Sequence, residues 1–307
     1  MTKVFIDGSA GTTGLRIADR LAQRQELQLL TLPEELRKDP AARRDALASA
    51  DIAFLCLPDD AAREAVALAE GMQVKIIDTS TAHRVDPAWA YGMPELKGMR
   101  EAIRHSSRIA NPGCHASGFV ALVAPLVEQG ILAPDTALSC FSLTGYSGGG
   151  KKMIAEYESE HRSALLQAPR QYALSQQHKH LKEMVAISGL ETTPVFCPIV
   201  ADFYSGMEVT VPLFAKDIKG TAEDIRNVYQ AYYTTGLIHY CDSTDPDGLL
   251  SAAGYAMRDD MAVSVWGNED RILLCARFDN LGKGASGAAI QNMNILLGVD
   301  EATGLNV

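Results

Sequence analysis

Cys114 stands directly behind a Pro-Gly pair in the run Ile109-Ala110-Asn111-Pro112-Gly113-Cys114-His115-Ala116-Ser117-Gly118. Pro112 and Gly113 end an apolar approach over 107–110 and turn the chain, and the apolar run 119–127 beyond them permits a helix. Cys114 is therefore expected in the first turn of that helix, where unpaired backbone N–H groups and the positive dipole end favour a thiolate. Cysteine becomes a strong nucleophile with the smallest pKa shift of any side chain. A lone cysteine is more often a buried structural one, but the turn favours the nucleophile here. A second constellation is His178-Lys179-His180-Leu181-Lys182-Glu183. On a helix His180 and Glu183 share one face, and a carboxylate orienting an imidazole that works on a thiol is the logic of a Cys-His pair. Solvated surface histidines are the plain alternative. No third or fourth ligand stands nearby, so no metal is expected.

Two further stretches suit anions. Gly8-Ser9-Ala10-Gly11-Thr12-Thr13-Gly14 follows a short β-rich run, 3–7, and opens a helical pattern carrying Leu15, Ile17, Ala18, Leu21 and Ala22. Strand, glycine turn and helix start let the backbone approach a pyrophosphate. Gly148-Gly149-Gly150-Lys151-Lys152, after a strand ending at Thr144, offers amide donors and positive charge for a phosphate or oxyanion; its alternative is a flexible linker. Arg84 is read either as a surface arginine or as a phosphate or carboxylate clamp.

These groups need a scaffold, and the hydrophobic pattern supplies one. Strands are expected at 27–32, 52–58 and 74–77, with a helix over 59–70 capped by Asp59 or Asp60. The uninterrupted apolar run from Ile52 fits a parallel strand buried on both faces. The repetition predicts a doubly wound sheet with ligands at the C-terminal strand ends. No acid ends the second strand to hook a ribose, and Arg37-Lys38 nearby suits a 2′-phosphate, which points to NADP. Beyond Cys114 the pattern turns β-rich: 138–144, 195–201, 207–214, 261–266 and 271–278, the last two joined by a hairpin signal at 267–270. This predicts a second, α+β domain with an antiparallel or mixed sheet covered on one face. A last helix starting near Ser286 is expected to return to the first domain and close the cofactor cleft. The expected division is 1–113, completed by 283–307, and 114–282.

Composition narrows the function classes. The chain has 307 residues, 47% hydrophobic residues and a net charge of −10, with no Lys/Arg run. This argues against nucleic-acid binding. No stretch reaches the roughly 18 apolar residues of a membrane span, and the N-terminus reads as a strand rather than a signal peptide. The six scattered cysteines show no ligand spacing and suggest a reducing compartment. A soluble, cytoplasmic protein is expected.

With these residues assembled, the chain resembles the N-acetyl-gamma-glutamyl-phosphate reductases in their shorter, type 2 form. The resemblance rests on Gly8–Gly14, Asp78-Thr79-Ser80 with Arg84, Tyr91-Gly92-Met93-Pro94-Glu95-Leu96, Asn111–Cys114, Ser147–Lys151, His178-Lys179-His180 with Glu183, Lys283-Gly284-Ala285-Ser286-Gly287 and Gln291-Asn292-Met293-Asn294, and spans essentially the whole chain. It implies a Rossmann-type dinucleotide domain joined to a catalytic and oligomerisation domain of the semialdehyde-dehydrogenase type. It also implies NADPH-dependent reductive dephosphorylation of an acyl phosphate through a Cys114 thioester, in arginine biosynthesis. His180 is the implied acid/base, oriented by Glu183, with His178 second. Gly8, Ser9, Ala10, Gly11, Thr12, Thr13, Gly14, Ser80, Gly148 and Asn292 are the implied contacts of NADPH/NADP. Arg84 and Lys151 are the implied contacts of the phosphorylated small-molecule substrate. A homo-oligomer, dimer or tetramer, is implied, with the β-rich domain as its natural interface. His115 departs from the longer form, where Tyr or Phe follows the cysteine, and adds a third histidine to the choice of base. The rival readings are a sister acyl-phosphate reductase, such as aspartate-semialdehyde dehydrogenase or a lysine-pathway reductase acting on a carrier protein, and a non-catalytic NADP-binding redox sensor. An acidic carrier would need a basic docking face, which this acidic chain does not show.

Overall fold

A computed structural model describes all residues, Met1–Val307. The chain divides into two compact units, one of Met1–Pro112 with Ala285–Leu305 and one of Gly113–Gly284 with Asn306–Val307.

The first unit is built on β1 (Thr2–Asp7), α1 (Thr12–Leu21), β2 (Leu27–Leu30), α2 (Pro40–Ser49), β3 (Ile52–Leu55), α3 (Asp59–Leu68), β4 (Lys75–Asp78), β5 (Ala90–Tyr91), α4 (Met99–His105) and β6 (Arg108–Ala110). Its sheet runs β2-β1-β3-β4-β6-β5 with every pairing parallel. Side chains alternate across each strand, so the sheet divides its apolar residues between two cores. Val4, Ile6, Ile52, Phe54 and Ile77 pack with Ile17 and Leu21 of α1 and with Ile290 and Met293 of the C-terminal helix Gly287–Leu297. Phe5, Ala53, Leu55 and Ile76 pack with Leu47 of α2 and with Ala62 and Ala65 of α3. Burial on both faces explains why these strands read as unbroken apolar runs.

Two local expectations need correction. The helix α2, absent from the sequence-based expectations, starts with Pro40 at its first position and with the Asp39 carboxylate accepting from Ala41 N at 2.8 Å. That is a capping signal present in the sequence. Neither Asp59 nor Asp60 caps α3, whose N-cap is Pro58. Asp59 lies in the first turn, and its carboxylate accepts from Thr81 N and Thr81 Oγ1.

The second unit contains α5 (Cys114–Glu128), β7 (Ser139–Gly145), α6 (Gly150–Glu158), β8 (Arg170–Gln171), α7 (His180–Ser188), β9 (Val195–Ala201), β10 (Met207–Phe214), α8 (Ala222–Tyr232), β11 (Ile238–Tyr240), β12 (Met261–Gly267) and β13 (Arg271–Phe278). Its mixed sheet runs β11-β12-β13-β10-β7-β9-β8, and α5 is the buried helix laid against it. Gly118 permits that approach, because a Cβ there would stand 2.5 Å from Val209 Cγ2 and 2.8 Å from Phe278 Cε1. Pro125 sits inside α5 and has no N–H to offer the Ala121 carbonyl one turn earlier. Tyr233 Oη supplies that bond at 2.6 Å, and Tyr229 Oη donates to the Leu122 carbonyl beside it.

The other sheet face is open. Ser139, Phe141, Val195, Cys197, Pro212 and Leu273 share it by register, and Phe141, Val195, Phe214 and Leu273 are 42–56% exposed.

Candidate functional site

The first unit presents a backbone cradle. Gly8 ends β1 at φ +85°, in the left-handed region, and a Cβ there would lie 2.3 Å from the Cys56 carbonyl oxygen. Gly11 N closes the turn on Gly8 O at 3.0 Å. A Cβ on Gly14 would come within 2.5 Å of that same oxygen. Gly11 is the N-cap of α1 and gives it no side-chain cap, so the first-turn amides remain for an anion. The Thr12 hydroxyl is buried there with no hydrogen-bond partner. A cradle closed to side chains, with an orphaned hydroxyl at a helix start, fits a dinucleotide pyrophosphate. Arg37 and Lys38, which follow β2, are exposed, as a 2′-phosphate contact requires.

The other expected residues of this unit are buried and hydrogen-bonded within it. Ser80 is buried, its hydroxyl donating to Asp78 Oδ2 at 2.7 Å and accepting from Ala82 N at 3.1 Å. Arg84 is not a surface arginine. It is buried, with Nε donating to Asn111 O and Nη2 to Thr79 O, each at 2.9 Å, so it clasps the chain just before the Pro-Gly turn. Asn292 is fully buried, and its amide donates to Gly92 O at 2.9 Å and to Asn111 Oδ1 at 3.2 Å. Its position against Gly92 leaves no room for a Cβ on that glycine, which would lie 2.4 Å from Asn292 Nδ2.

The second unit presents the thiol. Cys114 is the first residue of α5 and Gly113 its N-cap, without a side-chain cap. Gly113 N instead donates to Glu183 Oε1 at 2.8 Å. Glu183, buried on the first turn of α7, therefore holds the turn that bears the thiol, a role the sequence reading did not give it. A Cβ on Gly284 would stand 2.9 Å from Cys114 Cβ, so the chain passes close on that side.

Three histidines gather here. Ring centroids lie 4.7 Å apart for His178 and His180, 5.6 Å for His115 and His180, and 5.7 Å for His115 and His178. His115 is buried, with Nδ1 2.7 Å from Ser142 Oγ and Nε2 2.6 Å from Tyr172 Oη. Burial, then His178, pushes its pKa down to about 3, so it is neutral at physiological pH and both nitrogens are engaged. It is thereby removed from the choice of base. Burial, followed by the charge of Cys114, raises the Tyr172 pKa. Tyr172 was not singled out from sequence; its nearness to the histidine motif was the one available signal.

The glycine loop after β7 is not a flexible linker. Tyr146–Gly149 forms a 3₁₀ turn, and α6 begins at Gly150 at φ +73°. Gly148 and Lys151 are exposed. Among the other cysteines, burial pushes Cys56 up to about 12, Cys275 up to about 11, and Cys140 higher still. Those three are structural thiols. No cluster of metal-ligating side chains is present, and no helix is long and apolar enough to cross a membrane.

The family model for the semialdehyde dehydrogenase dimerisation domain matches residues 114–280, and that for the semialdehyde dehydrogenase NAD binding domain matches 32–106. N-acetyl-gamma-glutamyl-phosphate reductase 2 of a Nostoc species is 45% identical, with 99% of each chain covered. The enzyme named N-acetyl-gamma-glutamyl-phosphate reductase in Brucella ovis is also 45% identical, covering 96% of this chain and 99% of that one. Among solved structures, aspartate semialdehyde dehydrogenase II of Vibrio cholerae, complexed with ASA, superposes with a TM-score of 0.71 at 16% identity, covering 97% and 98% of the two chains. Aspartate semialdehyde dehydrogenase of Candida albicans, solved with NADP, gives 0.65 at 15%, again covering 97% and 98%. At such identities these two structures speak for the fold alone.

Proposed function

The chain belongs to the N-acetyl-gamma-glutamyl-phosphate reductase family, and from that premise we propose that it reduces N-acetyl-L-glutamyl 5-phosphate to N-acetyl-L-glutamate 5-semialdehyde with NADPH, in arginine biosynthesis. The observation that carries the reading is Cys114 as the first residue of α5, its turn held by the buried Glu183 carboxylate, with the His178 and His180 rings gathered on that of the next residue, His115.

In the proposed reaction the Cys114 thiolate attacks the acyl carbonyl, and the C–O bond to phosphate breaks to leave a thioester and free phosphate. The α5 N-terminus favours the thiolate beforehand and the tetrahedral oxyanion during attack. Bound NADPH supplies the hydride that reduces the thioester carbonyl. The resulting thiohemiacetal expels the Cys114 thiolate as its C–S bond breaks, releasing the aldehyde. His180, with His178 second, handles the proton on the substrate oxygen. Glu183 orients this machinery through the Gly113 amide. The cradle Gly8–Gly14 is the proposed NADPH site, with Thr12 Oγ1 and the α1 amides on the pyrophosphate and Arg37 and Lys38 at the 2′-phosphate. Lys151, exposed on the first turn of α6, is the proposed contact for the substrate's anionic groups. Ser80 and Asn292, whose Oδ1 is buried without a partner, are proposed cofactor contacts and Arg84 a proposed substrate contact, and their hydrogen bonds also fix the backbone around the strand ends. The open face of the second sheet is proposed to pair with a second copy of the chain, since contiguous exposed apolar side chains on a sheet mark an interface. The cytoplasm is the proposed compartment.

The reaction run backwards tests this. N-acetyl-glutamate semialdehyde, NADP⁺ and phosphate are mixed with the protein and NADPH absorbance is followed, with aspartate semialdehyde in parallel. Phosphate-dependent NADPH formation with the acetylated substrate alone is expected. Turnover with aspartate semialdehyde alone would move the chain to the sister activity, and none with either, despite NADPH binding, would favour the sensor.

A further inference from the structure

His83 is a buried histidine that the proposed reaction does not use. Its Nδ1 lies 2.7 Å from Asp78 Oδ2, and its ring stacks on Trp89 with centroids 4.2 Å apart and planes 12° from parallel. Asp78, the last residue of β4, is fully buried, and its carboxylate also accepts from Ser80 N at 2.9 Å and from Ser80 Oγ at 2.7 Å. A carboxylate only accepts, so His83 Nδ1 carries a proton whether the ring is neutral or charged. Nε2 is the position left over, with no partner in the chain. Buried polar groups with a structural role find their partners within the chain, as both nitrogens of His115 do. His83 commits one nitrogen and reserves the other.

The loop that carries His83 is pinned along its length. Thr79 N donates to Leu55 O at 3.0 Å and Thr81 N to Asp59 Oδ1 at 2.9 Å, while Arg84 clasps Thr79 O and Asn111 O. A ring fixed by a hydrogen bond, a stack and a held backbone is preorganised for a contact.

Strand order indicates what that contact is. Asp7, Leu55 and Asp78 are level in register across β1, β3 and β4. Asp78 therefore lies two strand spacings, about 10 Å, from the residue that precedes the Gly8 cradle. In the order β2-β1-β3-β4, β2, with Arg37 and Lys38 beyond it, stands on one side of the cradle and β4 on the other. A dinucleotide whose pyrophosphate rests on the cradle runs across the strand ends. With its 2′-phosphate on the β2 side, its nicotinamide riboside extends over β3 toward β4. The ribose hydroxyls and the carboxamide each donate and accept, so either pairs with Nε2 in either charge state of the ring.

We propose that His83 is a cofactor contact whose Nε2 hydrogen-bonds the nicotinamide riboside half of NADPH, with Asp78 and Trp89 as positioning residues. The inference rests on the reading of Gly8–Gly14 as the pyrophosphate site.

The test is calorimetric titration of the full-length protein with three ligands: NADPH, 2′-phospho-ADP-ribose, which lacks the nicotinamide ring, and adenosine 2′,5′-bisphosphate, which lacks the whole riboside. In His83→Asn the side-chain amide takes the place of Nδ1 on Asp78 and nothing replaces Nε2. Affinity for NADPH is expected to fall roughly five- to tenfold, with the bisphosphate bound as in wild type. An equal fall for 2′-phospho-ADP-ribose assigns the contact to the ribose, and no fall there assigns it to the carboxamide. Asp78→Asn and Trp89→Leu should give the same pattern more weakly. Unchanged NADPH affinity in His83→Asn overturns the proposal. So does an equal loss for all three ligands, which would mean that the loop only supports the fold. Should His83→Asn fail to fold, His83→Phe, which keeps a ring on Trp89, carries the same titrations. Wild-type protein that binds none of the three would sink the cradle and the contact together; normal wild-type binding that His83→Asn leaves intact would sink the contact alone.

Discussion

The cradle at Gly8–Gly14 and the thiol turn at Cys114 are both helix starts that follow a strand, and neither helix has a side-chain cap. They draw their chemistry from different sources. The cradle is made of backbone, and its specificity lies in where a Cβ cannot go: on Gly8, against the Cys56 carbonyl, and on Gly14, against Gly8 itself. The thiol turn is made of side chains that arrive from far along the chain: Glu183 on the Gly113 amide, Ser142 and Tyr172 on His115, and His178 and His180 edge-on to one another. A backbone site fails when a side chain is added, and a side-chain site fails when one is removed.

That contrast can be broken from either side. Cys114→Ser should have the largest effect, a loss of about 10⁴-fold or more in kcat, with NADPH binding by fluorescence titration unchanged. Retained turnover would move the nucleophile elsewhere. Gly8→Ala should do the opposite, since it adds both a left-handed strain and a backbone clash. NADPH affinity is expected to fall by at least about 100-fold while Cys114 alkylation proceeds at the wild-type rate. Slowed alkylation in this variant would mean that the two sites are not independent.

Smaller changes sharpen the comparison. Glu183→Ala leaves the buried Gly113 amide unpaired and should cost about 1–3 kcal/mol by denaturant titration, along with activity. Glu183→Gln, which keeps an acceptor oxygen, should recover most of the stability, and the activity still missing then measures the carboxylate charge. His115 predicts an acid limit. Its folded pKa is depressed to about 3 from an unfolded value near 6.5, so its contribution is complete above about pH 6.5 and is lost as pH falls from there toward 3. The wild-type melting temperature should decline across that window, and the decline should be shallower in His115→Phe. The mildest effect on chemistry is expected from Phe141→Glu on the open sheet face. Light scattering should show a smaller particle, with Cys114 alkylation retained.

Much of this was readable from contiguous residues. The apolar runs gave β3, β9, β10 and β13 because strands buried on one or both faces must carry that pattern in sequence. The glycine loop and the Pro-Gly-Cys turn were legible for a related reason: both are local backbone constraints, met within about ten residues. The tertiary structure decided what those residues face. Arg84 was expected at the surface or on a ligand and is buried on two carbonyls; the glycines before Lys151 open a helix; Tyr172 passed unnoticed. Glu183 was expected to orient an imidazole through i,i+3 spacing; the structure adds that its Oε1 accepts from an amide seventy residues earlier. His115 looked like a third base until burial and its two partners made it a neutral link. Hydrogen-bond partners and desolvation depend on which distant segments pack together, and no local pattern encodes that. Residue types set what chemistry is available to this chain, and packing sets which proton each side chain holds.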